Sequence, residues 1–161
     1  MAFYKYTKYV IPGPNGYSLS FKNVETDKTG NIENNGEEVV RAEEVGELNG
    51  ERYVYVPDSI VATFPVQDPK IKWQGVEMTE ELRAQLKEVS PQCELISQEM
   101  IKKIREKYSN EDENYFARIG IGVLLGAYEF EAGEREELLA FGRYVEDVRS
   151  WGREQRAKIG L

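Results

Sequence analysis

The spacing of apolar residues changes near residue 75, and this change limits the fold more than any other feature of the chain. Before it, strand-forming residues alternate with polar ones, as in residues 17–21. After it, apolar residues recur three and four positions apart, as in residues 82–89. The pattern predicts an α+β protein, with an antiparallel β domain over residues 1–75 and a helical domain over residues 76–161.

Turn signals divide the N-terminal half into strands. The segment PGPNG at residues 12–16 separates two strand-forming stretches and predicts a hairpin. Asn49 and Gly50 predict a second, tighter hairpin, because a type I′ turn needs positive φ at both central residues. These signals predict a single antiparallel sheet of four to six strands within residues 1–64.

Four further segments complete the expected β domain. The Asn- and Gly-rich residues 26–38 predict a polar loop or a hairpin tip, and residues 39–45 predict a strand. Residues 60–64 predict one more short strand. The prolines at 65 and 69 interrupt regular structure, and residues 71–76 predict a last strand before the helices.

Capping residues set the expected helix boundaries. Thr79 is followed by two glutamates and predicts a helix start. Ser90-Pro91 ends that helix and begins the next, with the proline in the first turn. Ser109, before three acidic residues, predicts a third helix, and residues 134–159 predict a long C-terminal helix. The second helix carries an apolar stripe formed by Cys93, Ile96, Met100, Ile101, Ile104 and Tyr108.

The C-terminal helix carries a stripe of large apolar side chains. Leu138, Phe141, Val145 and Val148 share one face, and Trp151 lies beside it. Large aromatic residues are frequent anchors of protein interfaces. We therefore predict that these five residues bind a partner protein or a second copy of the chain, the alternative being that Trp151 closes the protein's own core.

Composition excludes several kinds of site. The chain has 161 residues, no histidine and one cysteine, so His-based triads, disulfides and Cys or His metal sites are not expected. No phosphate-binding loop or nucleophile elbow is present. We expect a protein that is not an enzyme and that holds no cofactor and no metal.

Charge and hydropathy narrow the expected partners and location. Lys and Arg number 21 against 29 Asp and Glu, a net charge of −8 that argues against binding to nucleic acid. No stretch predicts a signal peptide or a membrane span. We expect a cytoplasmic protein that contacts neither nucleic acid nor membrane.

The aromatic residues of the N-terminal half permit two interpretations. They could form a binding surface, or they could pack one face of the sheet as aromatic residues commonly do in half-buried strands. Their frequency in ordinary strands favours packing.

The C-terminal half resembles small proteins encoded beside tail-fibre genes in phages and prophages. The resemblance covers residues 79–161. It rests on Ser90-Pro91 through Ile96, on the run IREKYSNEDE at 104–113, and on the closing run YVEDVRSWG at 144–152 with the residues that follow.

The resemblance implies a non-enzymatic helper that binds tail-fibre protein during folding or assembly in the host cytoplasm. Such a helper covers strand edges and apolar patches until the fibre trimer closes. Two alternatives remain: a minor structural component of the tail, associated with the virion, or an acidic inhibitor that imitates nucleic acid toward a host defence protein.

Overall fold

The computed structural model describes residues 2–24 and 40–161, and it has the α+β arrangement that the sequence predicts. Antiparallel strands occupy the N-terminal half, and the C-terminal half is mostly helical. The predicted loop at 26–38 and the first residue of the strand predicted at 39–45 lie outside the described residues. In order, the elements are β1 Ala2–Tyr6, β2 Tyr9–Ile11, β3 Tyr17–Leu19, β4 Glu43–Leu48, β5 Glu51–Val56, α1 Asp58–Val61, a 3₁₀ turn Pro69–Ile71, β6 Gln74–Val76, α2 Glu80–Val89, α3 Pro91–Lys107, α4 Asn110–Leu124 and α5 Glu134–Lys158.

The chain forms two compact units, and their division differs from the predicted domain boundary. Met1–Cys93 and Lys158–Leu161 make up unit 1, and Glu94–Ala157 makes up unit 2. The boundary predicted at residue 75 falls inside β6. Helix α2 belongs with the sheet because it packs on β4, where Gly46 lies against Leu86.

Unit 1 is built on a four-stranded antiparallel sheet in the order β4-β5-β1-β6. Strand β1 is central, and its Tyr4 lies opposite Val54 on one side and Gly75 on the other. The single sheet predicted within residues 1–64 is wrong in this respect: strands β2 and β3 form a separate two-stranded hairpin across the predicted turn at residues 12–16, and β6, beyond residue 64, supplies the fourth strand of the main sheet.

The tight hairpin predicted at Asn49 and Gly50 is confirmed. Leu48 pairs with Glu51, and the two residues between them have φ of 53° and 77°. Both values lie in the left-handed region that a type I′ turn requires.

Both faces of the sheet are covered, which explains the burial of four consecutive residues of β5, residues 53–56. One face carries a cluster made up of Phe3, Val45, Tyr53, Tyr55, Leu86, Cys93 and Leu161. The opposite face carries a second cluster made up of Tyr6, Ala42, Val54, Val56 and Ile71, with further aromatic side chains packed against it.

The strand predicted at residues 60–64 is wrong. Helix α1 occupies Asp58–Val61, and a turn follows in which Thr63 N–H donates to the Ile60 carbonyl at 3.1 Å. Pro57 precedes the helix and Pro65 follows the turn, so prolines flank this segment on both sides. The strand predicted within residues 71–76 is shorter than expected, because a 3₁₀ turn ends at Ile71 and β6 begins at Gln74.

The predicted helix caps are confirmed. Thr79 Oγ1 accepts from Leu82 N–H at 3.1 Å, and Ser90 Oγ accepts from Cys93 N–H at 3.3 Å. Ser109 and Asp112 form a reciprocal capping box at the start of α4.

Unit 2 is held together by aromatic contacts between its helices. The Phe141 ring of α5 stacks on Phe116 of α4 with centroids 5.0 Å apart, and it meets the Tyr108 ring edge-on at 5.0 Å. Tyr144 Oη donates to the Lys103 carbonyl of α3 at 2.8 Å. Among the described residues, no helix is both long and apolar enough to cross a membrane.

Candidate functional site

An open groove of about 540 Å³ lies on the aromatic face of unit 1. One wall is formed by the rings of Tyr4, Phe64 and Trp73, and the loop at residues 65–69 forms the other. The groove has a volume within the usual range for ligand sites, about 300–1,000 Å³. It is therefore large enough to accept a side chain or a short stretch of peptide.

Trp73 is the centre of the aromatic wall. Its ring stacks on Tyr4 with centroids 4.8 Å apart, on Phe64 at 5.7 Å and on Phe21 at 5.9 Å. The interplanar angles are 18°, 25° and 28°, so the rings are nearly parallel. Tyr4, Phe64 and Trp73 are only half-buried. The wall thus packs on the sheet and also presents apolar ring surface to the groove.

The side chain of Gln67 holds the loop that forms the second wall, through hydrogen bonds to backbone groups. Gln67 Oε1 accepts from Lys22 N–H at 2.7 Å, and Gln67 Nε2 donates to the Lys22 carbonyl at 2.9 Å. The same Nε2 donates to the Pro65 carbonyl at 2.7 Å. With prolines at 65 and 69, the loop has few alternative conformations, so the groove exists before a ligand enters.

Lys72, whose backbone has a left-handed conformation, turns the chain toward the aromatic wall. Asp68 caps the 3₁₀ turn by accepting from Lys70 N–H at 2.9 Å, and the fully buried Ile71 anchors it. Lys72 follows with φ 52° and ψ 44°, a conformation that is uncommon outside glycine. This turn brings Trp73 onto the same face of the sheet as Tyr4.

The groove offers a surface for binding by apolar contact. Its lining combines aromatic rings, prolines and Val66, whose side chain is 91% exposed. The charged residues in the lining are Asp68, which caps the turn, and Lys72 at the edge. Among residues 2–24 and 40–161, no three Cys, Asp or Glu side chains come close enough to hold a metal ion.

The predicted partner-binding stripe of α5 lies within unit 2. Val148 is buried, and Leu138, Phe141, Val145 and Trp151 are half-buried. Phe141 contacts rings of α4 and the end of α3, as described above. Internal packing accounts for this burial, and the predicted role of the stripe in binding a partner stays a prediction.

Trp151 also has a neighbour within unit 2. The Lys103 ammonium lies over its ring, 4.7 Å from the centroid. At this distance a lysine is attracted by the electron-rich face of the indole. The contact occupies part of one face of the indole ring.

Unit 2, all of whose residues the structure describes, contains one buried carboxylate, Glu134, at the start of α5. It accepts hydrogen bonds from the Tyr115 hydroxyl, from Tyr128 Oη at 2.8 Å and from Glu131 N–H at 2.8 Å. These donors, the Tyr115 hydroxyl first, lower the pKa of Glu134, and the same bond raises the pKa of Tyr115 to about 12. Both carboxylate oxygens of Glu134 therefore accept hydrogen bonds. These bonds connect α4, the α4–α5 connection and the start of α5.

A second apolar surface lies at the C-terminal end of α4. Ile121, Leu124 and Leu125 are 58%, 86% and 77% exposed. Aliphatic side chains clustered in this way on a surface often mark a contact with another protein.

The sequence did not predict the groove, although it shows the aromatic residues and prolines that line it. Tyr4 and Trp73 are 69 positions apart, and the pairing of β1 with β6 brings them together. Phe64 joins them from the segment after α1, where its ring stacks on Trp73. The usable local signal was the pair of prolines at 65 and 69 close to a tryptophan.

The comparisons with known proteins add no relative to this description. No protein-family model matches the chain, no curated protein matches it, and no solved structure matches it.

Proposed function

We propose that this protein works by protein–protein contact and that the aromatic groove of unit 1 is its principal binding surface. The observation that carries the proposal is the stacked pair Tyr4 and Trp73, which presents half-buried ring surface to an open groove. Aromatic side chains in a preformed concavity supply much of the binding energy at protein interfaces.

The groove fits a protein ligand better than a reacting substrate. Its lining is mostly apolar, and its one carboxylate, that of Asp68, is used to cap a turn. The exposed Val66 at the groove enlarges the apolar area that a partner would cover.

The partner we propose is a phage tail-fibre protein, held during its folding or assembly in the host cytoplasm. The support is the resemblance of residues 79–161 to proteins encoded beside tail-fibre genes, together with the groove. Fibre subunits expose apolar strands before the trimer closes, and an aromatic groove beside a sheet is suited to cover them.

Co-expression with a phage tail-fibre protein tests this proposal. The tagged protein is purified and the amount of fibre protein retained is measured. We expect retention by wild type and a loss of at least about tenfold for Val66→Glu, because a charge placed in the groove must be desolvated on binding. Val10→Glu is the matched control, since Val10 is an exposed valine on β2 outside the groove.

Two results would contradict the proposal. Failure of wild type to retain the fibre protein would remove fibre assembly as the function. Equal losses for both valine variants would show that the groove is not the binding surface. Binding instead to a basic nucleic-acid-binding protein, abolished by salt, would favour the acidic inhibitor.

A further inference from the structure

The two edges of the four-stranded sheet differ in how far the rest of unit 1 hydrogen-bonds to their backbone groups. On the β4 side, Asn23 pairs its side-chain amide with both backbone groups of Ala42, at 2.8 and 3.0 Å. Gln92 Nε2 donates to the Glu44 carbonyl at 2.7 Å, and the strand is interrupted by a bulge between Glu44 and Gly46. The two side-chain amides occupy backbone groups that a further strand would need, and a bulge is a known means of preventing a sheet edge from pairing.

The β6 edge has no comparable protection in the part of the chain that the structure describes. Strand β6 pairs with β1 on one side, and Gln74 and Gly75 are exposed. Within residues 2–24 and 40–161, no hydrogen bond other than those of the ladder with β1 involves this strand. The N–H and C=O groups of a strand point alternately to its two sides, so some of those of β6 point away from β1.

The open edge adjoins the aromatic groove. Gly75 lies opposite Tyr4 in the register, so both are on the groove face of the sheet. A Cβ on Gly75 would lie 4.0 Å from the Tyr4 ring, and no other described residue apart from its two chain neighbours would be as near. A strand placed beside β6 would therefore bring its side chains directly to the wall formed by Tyr4 and Trp73.

We propose that an extended segment of the partner protein adds to the sheet as a strand beside β6 and places an apolar side chain in the aromatic groove. The backbone groups of the edge identify the occupant as an extended peptide, and the lining of the groove identifies its side chain as apolar. This inference rests on the proposed function, because it names how the partner binds.

A second copy of the chain is a poorer occupant. In a β6–β6 pair, the only residue of each strand on the groove face is Gly75, since Gln74 and Val76 point to the opposite face. Such a pair would leave the groove without a side chain. A partner segment with alternating large apolar residues fills it.

Two leucine substitutions on the same strand provide the test. Gly75→Leu places a side chain on the groove face, where its Cβ would meet the Tyr4 ring at an ordinary contact distance of 4.0 Å and the backbone has no positive φ. Gln74→Leu, the matched control, places the same side chain on the opposite face. Each variant is purified as the full chain, and its melting temperature is compared with wild type to confirm that the fold is kept.

The variants are first assayed for retention of the co-expressed fibre protein. We expect Gly75→Leu to reduce retention at least about tenfold and Gln74→Leu to leave it within about twofold. Hydrogen exchange at residues 74–76 should slow in the complex. If wild type retains the fibre protein and Gly75→Leu does so equally well, strand addition is overturned while the proposed function stands.

If no fibre protein is retained, the proposed function fails and the inference is tested with peptides. Random peptides displayed on a surface are selected on the full-length protein, and the best binder is synthesised with and without N-methylation of alternate amides. We expect alternating apolar sequences whose binding is lost on N-methylation and in Gly75→Leu. Selection of no such peptide, or binding unaffected by N-methylation, or a concentration-dependent dimer that Gly75→Leu dissociates, would overturn the inference.

Discussion

The side-chain amide of Asn23 forms a two-bond pair with the backbone of Ala42. Its Nδ2 donates to the Ala42 carbonyl at 2.8 Å, and its Oδ1 accepts from the Ala42 N–H at 3.0 Å. This is the pattern by which one strand pairs with another, made here by a single side chain. Ala42 is almost fully buried, so no solvent replaces these bonds.

Asn23→Ala should destabilise the sheet and open its β4 edge. The substitution leaves the backbone groups of Ala42 without partners, at a cost of about 1–3 kcal/mol for a buried polar group. Urea denaturation followed by circular dichroism measures the loss, and light scattering measures association through the exposed edge. Ser20→Ala, at an exposed position three residues earlier in the chain, is the control and should unfold like wild type. An unchanged midpoint for Asn23→Ala would show that water satisfies these groups.

Gly160→Ala should destabilise unit 1. Gly160 has φ 78°, and a Cβ there would lie 2.5 Å from Phe3 and 2.6 Å from Tyr55. The left-handed backbone alone costs an alanine about 1–2 kcal/mol, and the two rings must also shift. Thermal unfolding should show a clear drop in Tm. Gly133→Ala is the control, because Gly133 has φ 93° but open space around it, so this variant carries the backbone cost without the crowding. Equal losses of Tm in the two variants would assign the effect to the backbone alone.

Glu134→Gln should lower the stability of unit 2 and flatten its dependence on acid pH. The pKa of Glu134 is lowered in the folded state, so its contribution is present above the ordinary glutamate pKa, about 4.3, and is lost as pH falls through the lowered folded value. Urea midpoints are measured from about pH 6 to about pH 3. Glu131→Gln keeps the backbone donor and should behave like wild type. A Glu134→Gln profile as steep as that of wild type would show that other carboxylates control the acid transition.

Alkaline unfolding should depend on the same hydrogen bonds. The pKa of Tyr115 is raised to about 12, chiefly by its hydrogen bond to Glu134. Its contribution to stability is therefore complete below the ordinary tyrosine pKa, about 10, and is lost as pH rises through about 12. Tyr115→Phe should remove this loss, which spectrophotometric titration at 295 nm together with circular dichroism would detect. Ionisation of Tyr115 at its ordinary pKa would contradict the contact.

Trp151→Ala distinguishes an internal role of this residue from a role in binding. Loss of the contact with Lys103 and of ring packing should lower stability by more than about 1 kcal/mol if the internal role dominates. A normal Tm with loss of partner retention or self-association would instead support the predicted partner-binding stripe. Normal melting and normal binding together would exclude both roles and place the contact elsewhere, as the proposed groove of unit 1 requires.

The sequence alone determined the helix caps and the tight turn, because these depend on interactions between residues close together in the chain. Thr79, Ser90 and Ser109 cap helices because each side-chain oxygen reaches an N–H three residues away. The turn at Asn49 follows from backbone sterics alone. The α+β class was also predictable, because the period of apolar residues reflects which face of a helix or strand is buried.

Tertiary structure decided which faces are buried and which residues meet. Ile101, predicted as part of the apolar stripe of α3, is 57% exposed, because the burial of a helix face depends on what packs against it. Residues 60–64 have strand-forming composition, yet prolines flank them, and they form the end of a helix and a turn. The groove required β6 to pair with β1, which brought Trp73 onto Tyr4 from 69 positions away. Contacts of that range depend on the register of the whole sheet, and no local pattern in the chain encodes them.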